Sequence, residues 1–139
     1  MTKRENKFSY DQAQAEIAEW LEFKHISERK RNDNADFEEV LIDKMCQGLL
    51  KKNEDNSLTY SLQEPVKTED GEIILDTLTF KPRIRVSDLN KRLKGVKPSD
   101  IEGRQLAYIA AITGESSGKI SSIYTEDFET CAAIVNYFL

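Results

Sequence analysis

The sequence predicts an α+β fold in three parts: an N-terminal helical hairpin, a central two-stranded antiparallel β-hairpin and a C-terminal small helical cluster. Three observations carry this. Apolar residues alternate with period two in two short runs between residues 57 and 80, capping signatures open helical stripes near Ser9 and Asp36, and a further stripe runs from Thr125 to the last residue. The spacing divides the chain into a helical region at 1–55 and a hairpin-plus-helices domain at 56–139.

The first helix follows a capping box, Ser9-Tyr-Asp-Gln12, in which the serine oxygen accepts an orphan helix amide and the glutamine reaches back. Ala13, Ile17, Trp20 and Leu21 then keep one helical face, and the charged run ERKRNDN is expected to break it. A second box, Asp36-Phe-Glu-Glu39, opens a helix with Phe37, Val40, Leu41, Met45 and Leu49 as its stripe. The polar stretch from Lys51 to Asn56 reads as a linker. Two amphipathic helices joined by a polar turn pack antiparallel and bury their stripes.

In SLTYSL, Leu58, Tyr60 and Leu62 share one face of an extended chain, with Thr59 and Ser61 on the other. In EIILDTLTF the alternation puts Ile74, Leu78 and Phe80 on one face and Ile73, Leu75, Thr77 and Thr79 opposite. Pro65 and Asp70-Gly71 lie between the runs, and Pro82, which has no amide hydrogen for a ladder, ends the second.

Beyond Pro82, Ser87 is a candidate N-cap for a short helix carrying Leu89 and Leu93 and stopped at Gly95. Ser99-Asp-Ile-Glu102 is a third capping box, opening a helix with Leu106, Ile109, Ala110 and Thr113 that ends at Gly114. Ile120 and Ile123 suggest a further turn or two. Phe128, Ala132, Val135 and Leu139 follow at steps of four, three and four, the spacing of a helix packing one face on a core.

The order "YSLQEPVKTEDGEIILDTLTFKPRIRVSDL", then "LAYIAAITGESSGKISSIYTEDFETCAAIVNYFL", resembles the tail assembly chaperones of long-tailed bacteriophages, small proteins encoded just ahead of the tape measure protein in P2-like and Mu-like phages. The positions that carry the resemblance are Pro65, Gly71, Leu78, Pro82, Asp88, Thr113, Gly114, Asp127 and Phe128, across roughly the C-terminal three-fifths of the chain. It implies a protein without enzymatic activity that binds the tape measure protein and keeps it soluble while tube subunits polymerise around it. It further implies tail tube protein as a second partner, residence in the host cytoplasm and absence from the mature virion. Residues 1–55 are longer than the compact members carry, so the resemblance assigns them no role. Members are also commonly made in a longer, frameshifted form, which the sequence of one product does not reveal.

Bulk properties fit this expectation. The chain has 39% hydrophobic and 32% charged residues and a formal charge of -5, an ordinary globular composition that disfavours generic nucleic-acid binding. A charged start and the lack of a long apolar run point away from the membrane and from secretion. Cys46 and Cys131 stand on helices without ligand-like neighbours, so they are expected as free thiols in a reducing compartment.

No cofactor, metal or catalytic group is expected. Gly114-Glu-Ser-Ser-Gly118-Lys119 has its glycines one residue too close for a phosphate loop, Ile120 where a hydroxyl belongs and a helix ahead of it. His25 is the only histidine. The carboxylates of Asp36, Glu38 and Glu39, like those of Glu126, Asp127 and Glu129, sit where helix starts favour negative charge. What remains is binding surface. Trp20 and Phe23, with Ala132, Val135, Phe138 and Leu139, are the candidate partner contacts, and self-association through them is the alternative use. A basic segment, Lys81, Arg83, Arg85, Lys91, Arg92, Lys94 and Lys97, opposes a single acid, Asp88, for a local charge of +6. It lacks the interleaved aromatics that stack bases, which leaves a small nucleic-acid-binding regulator as the second hypothesis.

Overall fold

The computed structural model describes residues 8–139; residues 1–7 of the N-terminal region lie outside the described residues. Helix α1, Tyr10–Phe23, starts with the expected box: Ser9 Oγ accepts from Gln12 N at 3.2 Å and Ser9 N donates to Gln12 Oε1 at 3.0 Å. It buries Ala13, Ile17, Trp20 and Leu21. The break comes at His25, whose φ of 59° is left-handed, before the charged run is reached. That run is itself helical, a correction to the sequence reading: α2 spans Glu28–Asp33, with Ser27 Oγ accepting from Lys30 N. A Ser N-cap, Glu28 in the first turn and basic residues in the last satisfy a short helix that has no apolar stripe to announce it.

Helix α3, Ala35–Cys46, begins after Asn34 and has no side-chain cap, so Asp36 lies inside the first turn rather than at its start. Arg31 instead ties α2 to α3, donating from Nε and Nη2 to both carboxylate oxygens of Glu38 at 3.1 Å. The buried face of α3 is Leu41, Ile42, Met45 and Cys46; Phe37 and Val40 fall off it.

The sheet has three strands where the sequence suggested two. Its order is β1 (Leu50–Lys52), β2 (Leu58–Lys67) and β3 (Ile73–Phe80), antiparallel throughout. β1 lies partly in the stretch read as a linker, since three residues are too few to display a period. Leu58, Tyr60, Leu62, Leu78 and Phe80 take the core face as expected. Ile74 does not: it is exposed, and Leu75 is buried in its place. The cause is a bulge. Ser61 pairs with Thr77 and Val66 with Leu75, so five steps along β2 oppose two along β3; Lys67 then pairs with Ile73, so one step of β2 opposes two of β3 and Ile74 itself is left without a partner. Pro65, which lacks an amide hydrogen, sits in the bulge.

Four helices follow: α4 (Val86–Leu93), α5 (Ile101–Thr113), α6 (Ser117–Ser121) and α7 (Thr125–Val135), the last continuing as a 3-10 turn over Asn136–Phe138. The N-cap of α4 is Arg85, two residues before Ser87, with Arg85 N donating to Asp88 Oδ2 at 3.4 Å. The cap of α5 is Asp100 rather than Ser99; its Oδ1 accepts from Gly103 N at 2.9 Å. A Cβ on residue 103 would push that carboxylate out of its capping position. Gly114 closes α5 with a φ of 78°, as its position predicted.

One hydrophobic core draws on α1, α3, all three strands, α5, α6 and α7, and it runs without interruption across residues 55 and 56. Trp20 meets Tyr137 edge-on with ring centroids 5.8 Å apart and Phe138 at 6.2 Å. Around the rim, Lys52 of β1 reaches Glu16 and Glu19 of α1 at 3.5 and 3.4 Å. Cys46 and Cys131 are both buried free thiols.

Candidate functional site

Helix α7 has two apolar faces. Asp127, Cys131 and Ile134 turn fully inward, whereas the expected stripe of Phe128, Ala132, Val135 and Leu139 grades from buried Val135 through half-buried Phe128 and Ala132 to Leu139 at 63% exposure. The stripe read as core-facing is therefore the outer shoulder of the helix. Its lower part forms the wall of a cleft of about 460 Å³, opposite Phe37 of α3 and Ile101 and Tyr108 of α5. A second cleft of about 550 Å³ continues from Phe37 and Ala132 towards Val40, Lys44 and Glu129. Together they make an open groove along α7, floored by Ala132, with Ile101 at 71% and Phe37 at 39% exposure on its rim. Isolated exposed apolar residues are ordinary, but several converging on one concave surface mark a contact site.

Of the sequence-based contact candidates, Ala132, Val135 and Leu139 come together here. Lys30 Nζ donates to Leu139 O at 2.7 Å and fixes that end of the wall. Trp20 does not belong to any contact surface: it is fully buried in the core, because α1 turns its whole apolar face inward. Phe23 and Phe138 are half-buried and line neither cleft, and cations roof them. Arg83 stacks 4.2 Å above Phe23 and Lys24 Nζ lies 3.5 Å above Phe138 while donating to Pro82 O at 2.9 Å. Neither ring is free. Burial, with Arg83 and Lys30 nearby, pulls the Lys24 ammonium down to about 8. Phe37, Ile101 and Tyr108 are the groove residues that sequence reasoning missed; Ile101, immediately after a cap and off the stripe of α5, was the readable signal.

The groove wall is anchored by Asp127. This buried carboxylate accepts from Tyr60 Oη at 2.7 Å through Oδ1, from Gln63 N at 3.0 Å through the same oxygen, and from Glu64 N at 3.1 Å through Oδ2. It thus satisfies the main-chain donors that the β2 bulge removes from the ladder, and it locks the first turn of α7 to the sheet. The sequence reading of Asp127 as a helix-dipole residue captured only its position in the first turn.

The basic segment is a separate surface. Lys81, Arg83, Arg85, Lys91, Lys94 and Lys97 are exposed, Arg92 is half-buried, and none of the seven forms an ion pair among the described residues. α4 buries no residue fully and rests on α5. The glycine-serine stretch is a short connection from α5 into α6: Gly114 ends α5, Ser116 caps α6 and Lys119 pairs with Glu115 at 3.8 Å. Among the described residues no helix is long and apolar enough to cross a membrane.

No protein-family model, curated protein or solved structure matches the chain.

Proposed function

We propose that the chain is a non-enzymatic phage tail assembly chaperone whose α3–α5–α7 groove covers an apolar helical stripe of the tape measure protein until tube subunits displace it. The observation that supports this reading is the groove itself, where three of the contact residues expected from the sequence, Ala132, Val135 and Leu139, converge with Phe37, Ile101 and Tyr108. A concave apolar strip between helices accepts an amphipathic helix through i, i+3, i+4 anchors and needs no chemical step. Release follows by competition, since the cover is held by reversible burial alone. The resemblance of the chain from Tyr60 onward supplies the identity of the partner.

Co-expression with a tape measure fragment tests it. The fragment should move to the soluble fraction and co-elute with the chain; a fragment that stays insoluble and unbound at micromolar concentration contradicts the reading.

The unpaired cations of the segment 81–97 favour a second reading, a nucleic-acid-binding regulator. That reading requires DNA or RNA binding that weakens steeply with salt and disappears when Arg83, Arg85 and Arg92 are neutralised.

A further inference from the structure

The two ends of the groove carry opposite charge. At the end formed by the first turn of α7 and the middle of α3, Asp43, Glu126 and Glu129 are exposed, and none of them is ion-paired among the described residues. Lys44, the one cation there, donates to Gln63 Oε1 at 3.3 Å instead. At the other end Arg104 lines the cleft beside Pro98 and Gln105 with no carboxylate partner among the described residues. Between them the lining is apolar: Phe37, Ala132 and Val135. From Thr125 to Phe138 this wall is about 20 Å long at 1.5 Å per residue, the length of a helix of about four turns.

We propose that the groove selects and orients its partner by charge: it takes an amphipathic helix of about four turns whose basic residues lie over Asp43, Glu126 and Glu129 and whose acidic residue meets Arg104. This deepens the groove reading above and rests on it. The physical reason is that unpaired rim charges cost a partner bearing like charge and favour one bearing the opposite sign, while the apolar floor supplies affinity without direction. A helix of uniformly negative character is excluded in either orientation, because one of its ends must face the three carboxylates.

Three synthetic helical peptides of one length and one Leu/Ala stripe test this against the full chain. The first carries two Lys in one end turn and a Glu in the other, the second carries Gln at these positions, and the third carries Glu at both ends. At about 50 mM salt, where rim charges are weakly screened, the first should bind about five- to tenfold more tightly than the third, and Glu126→Lys/Glu129→Lys should invert that order. Equal affinity, or an order the double variant leaves unchanged, overturns charge selection while leaving a helix-binding groove. If no peptide binds, or if Ala132→Arg leaves binding intact, the groove reading falls and takes this inference with it. Sedimentation supplies the last arm: a dimer of the chain that Glu126→Lys/Glu129→Lys dissolves would make a second copy the occupant and overturn the assignment to a partner helix.

Discussion

Replacing Asp127 by Ala tests the link between the bulge and the groove wall. The substitution removes three hydrogen bonds to one fully buried carboxylate. Hydrogen bonds to a charged group contribute about 1.5–3 kcal/mol each, but Gln63 and Glu64 are exposed and water can replace the acceptor at their amides. The Tyr60 hydroxyl is fully buried and loses its carboxylate acceptor, keeping only the Thr130 side chain beside it, at a cost of about 1–3 kcal/mol, and the helix start loses its favourable charge, about 0.5 kcal/mol. The expected loss is about 2–4 kcal/mol for Asp127→Ala. Tyr60→Phe, which removes one donor and leaves the carboxylate its two amides, should cost about 1–2 kcal/mol. The double variant should cost less than the two singles together, since each removes part of the same contact. Urea unfolding followed by circular dichroism gives all three values. A loss below about 1 kcal/mol for Asp127→Ala, with additive singles, would show that the carboxylate does not hold α7 to the sheet.

Trp20→Ala should cost about 3–5 kcal/mol in urea unfolding, as a large cavity opens against Tyr137 and Phe138, yet leave the partner affinity of the folded protein unchanged. A loss of affinity without a loss of stability would return Trp20 to a contact role. Gly114→Ala forces a Cβ into a φ of 78° and should lower stability by about 1 kcal/mol in the same assay. Burial raises the Cys131 thiol well above its unfolded value of 9.0, so its contribution is complete below that value and is lost as pH rises past it. Lys24, depressed to about 8, acts with the opposite sign up to 10.5, so the comparison with a variant is the readout rather than the slope itself. Between pH 9 and 10, Cys131→Ala should lose about 1 kcal/mol less than the parent chain, and parallel pH profiles would contradict this.

Elements with a strong period or an explicit cap were legible in the sequence. The box at Ser9, the αL glycine at 114, the two long strands and the start of α7 near Thr125 all lie where the spacing put them. Failures have specific causes. β1 is too short to show alternation, and α2 is held by its cap and the Arg31–Glu38 pair rather than by an apolar stripe. Ile74 was assigned inward because period two cannot report an irregular register, and Ile74 is the β3 residue skipped between the Leu75 and Ile73 pairs. The groove was half visible: a stripe at steps of four and three is the same whether it faces a core or solvent, and only Asp127, Cys131 and Ile134 turning inward decides which. The Leu62-x-x-Pro65 run and the Asp127-Phe128 pair, far apart in sequence, prove to be neighbours, because the carboxylate of one caps the bulge of the other.

Ala132 lies where the two clefts join, half-exposed, and arginine there would fill the floor while its head remains in water. Titration calorimetry of Ala132→Arg against a tape measure fragment, beside thermal unfolding of the same sample, is the most direct measurement. Binding lost by at least about a hundredfold with an unchanged unfolding midpoint is the expected result, since a blocked groove forfeits the apolar burial that holds the helix. Affinity equal to that of the parent chain would place the partner elsewhere and refute the groove.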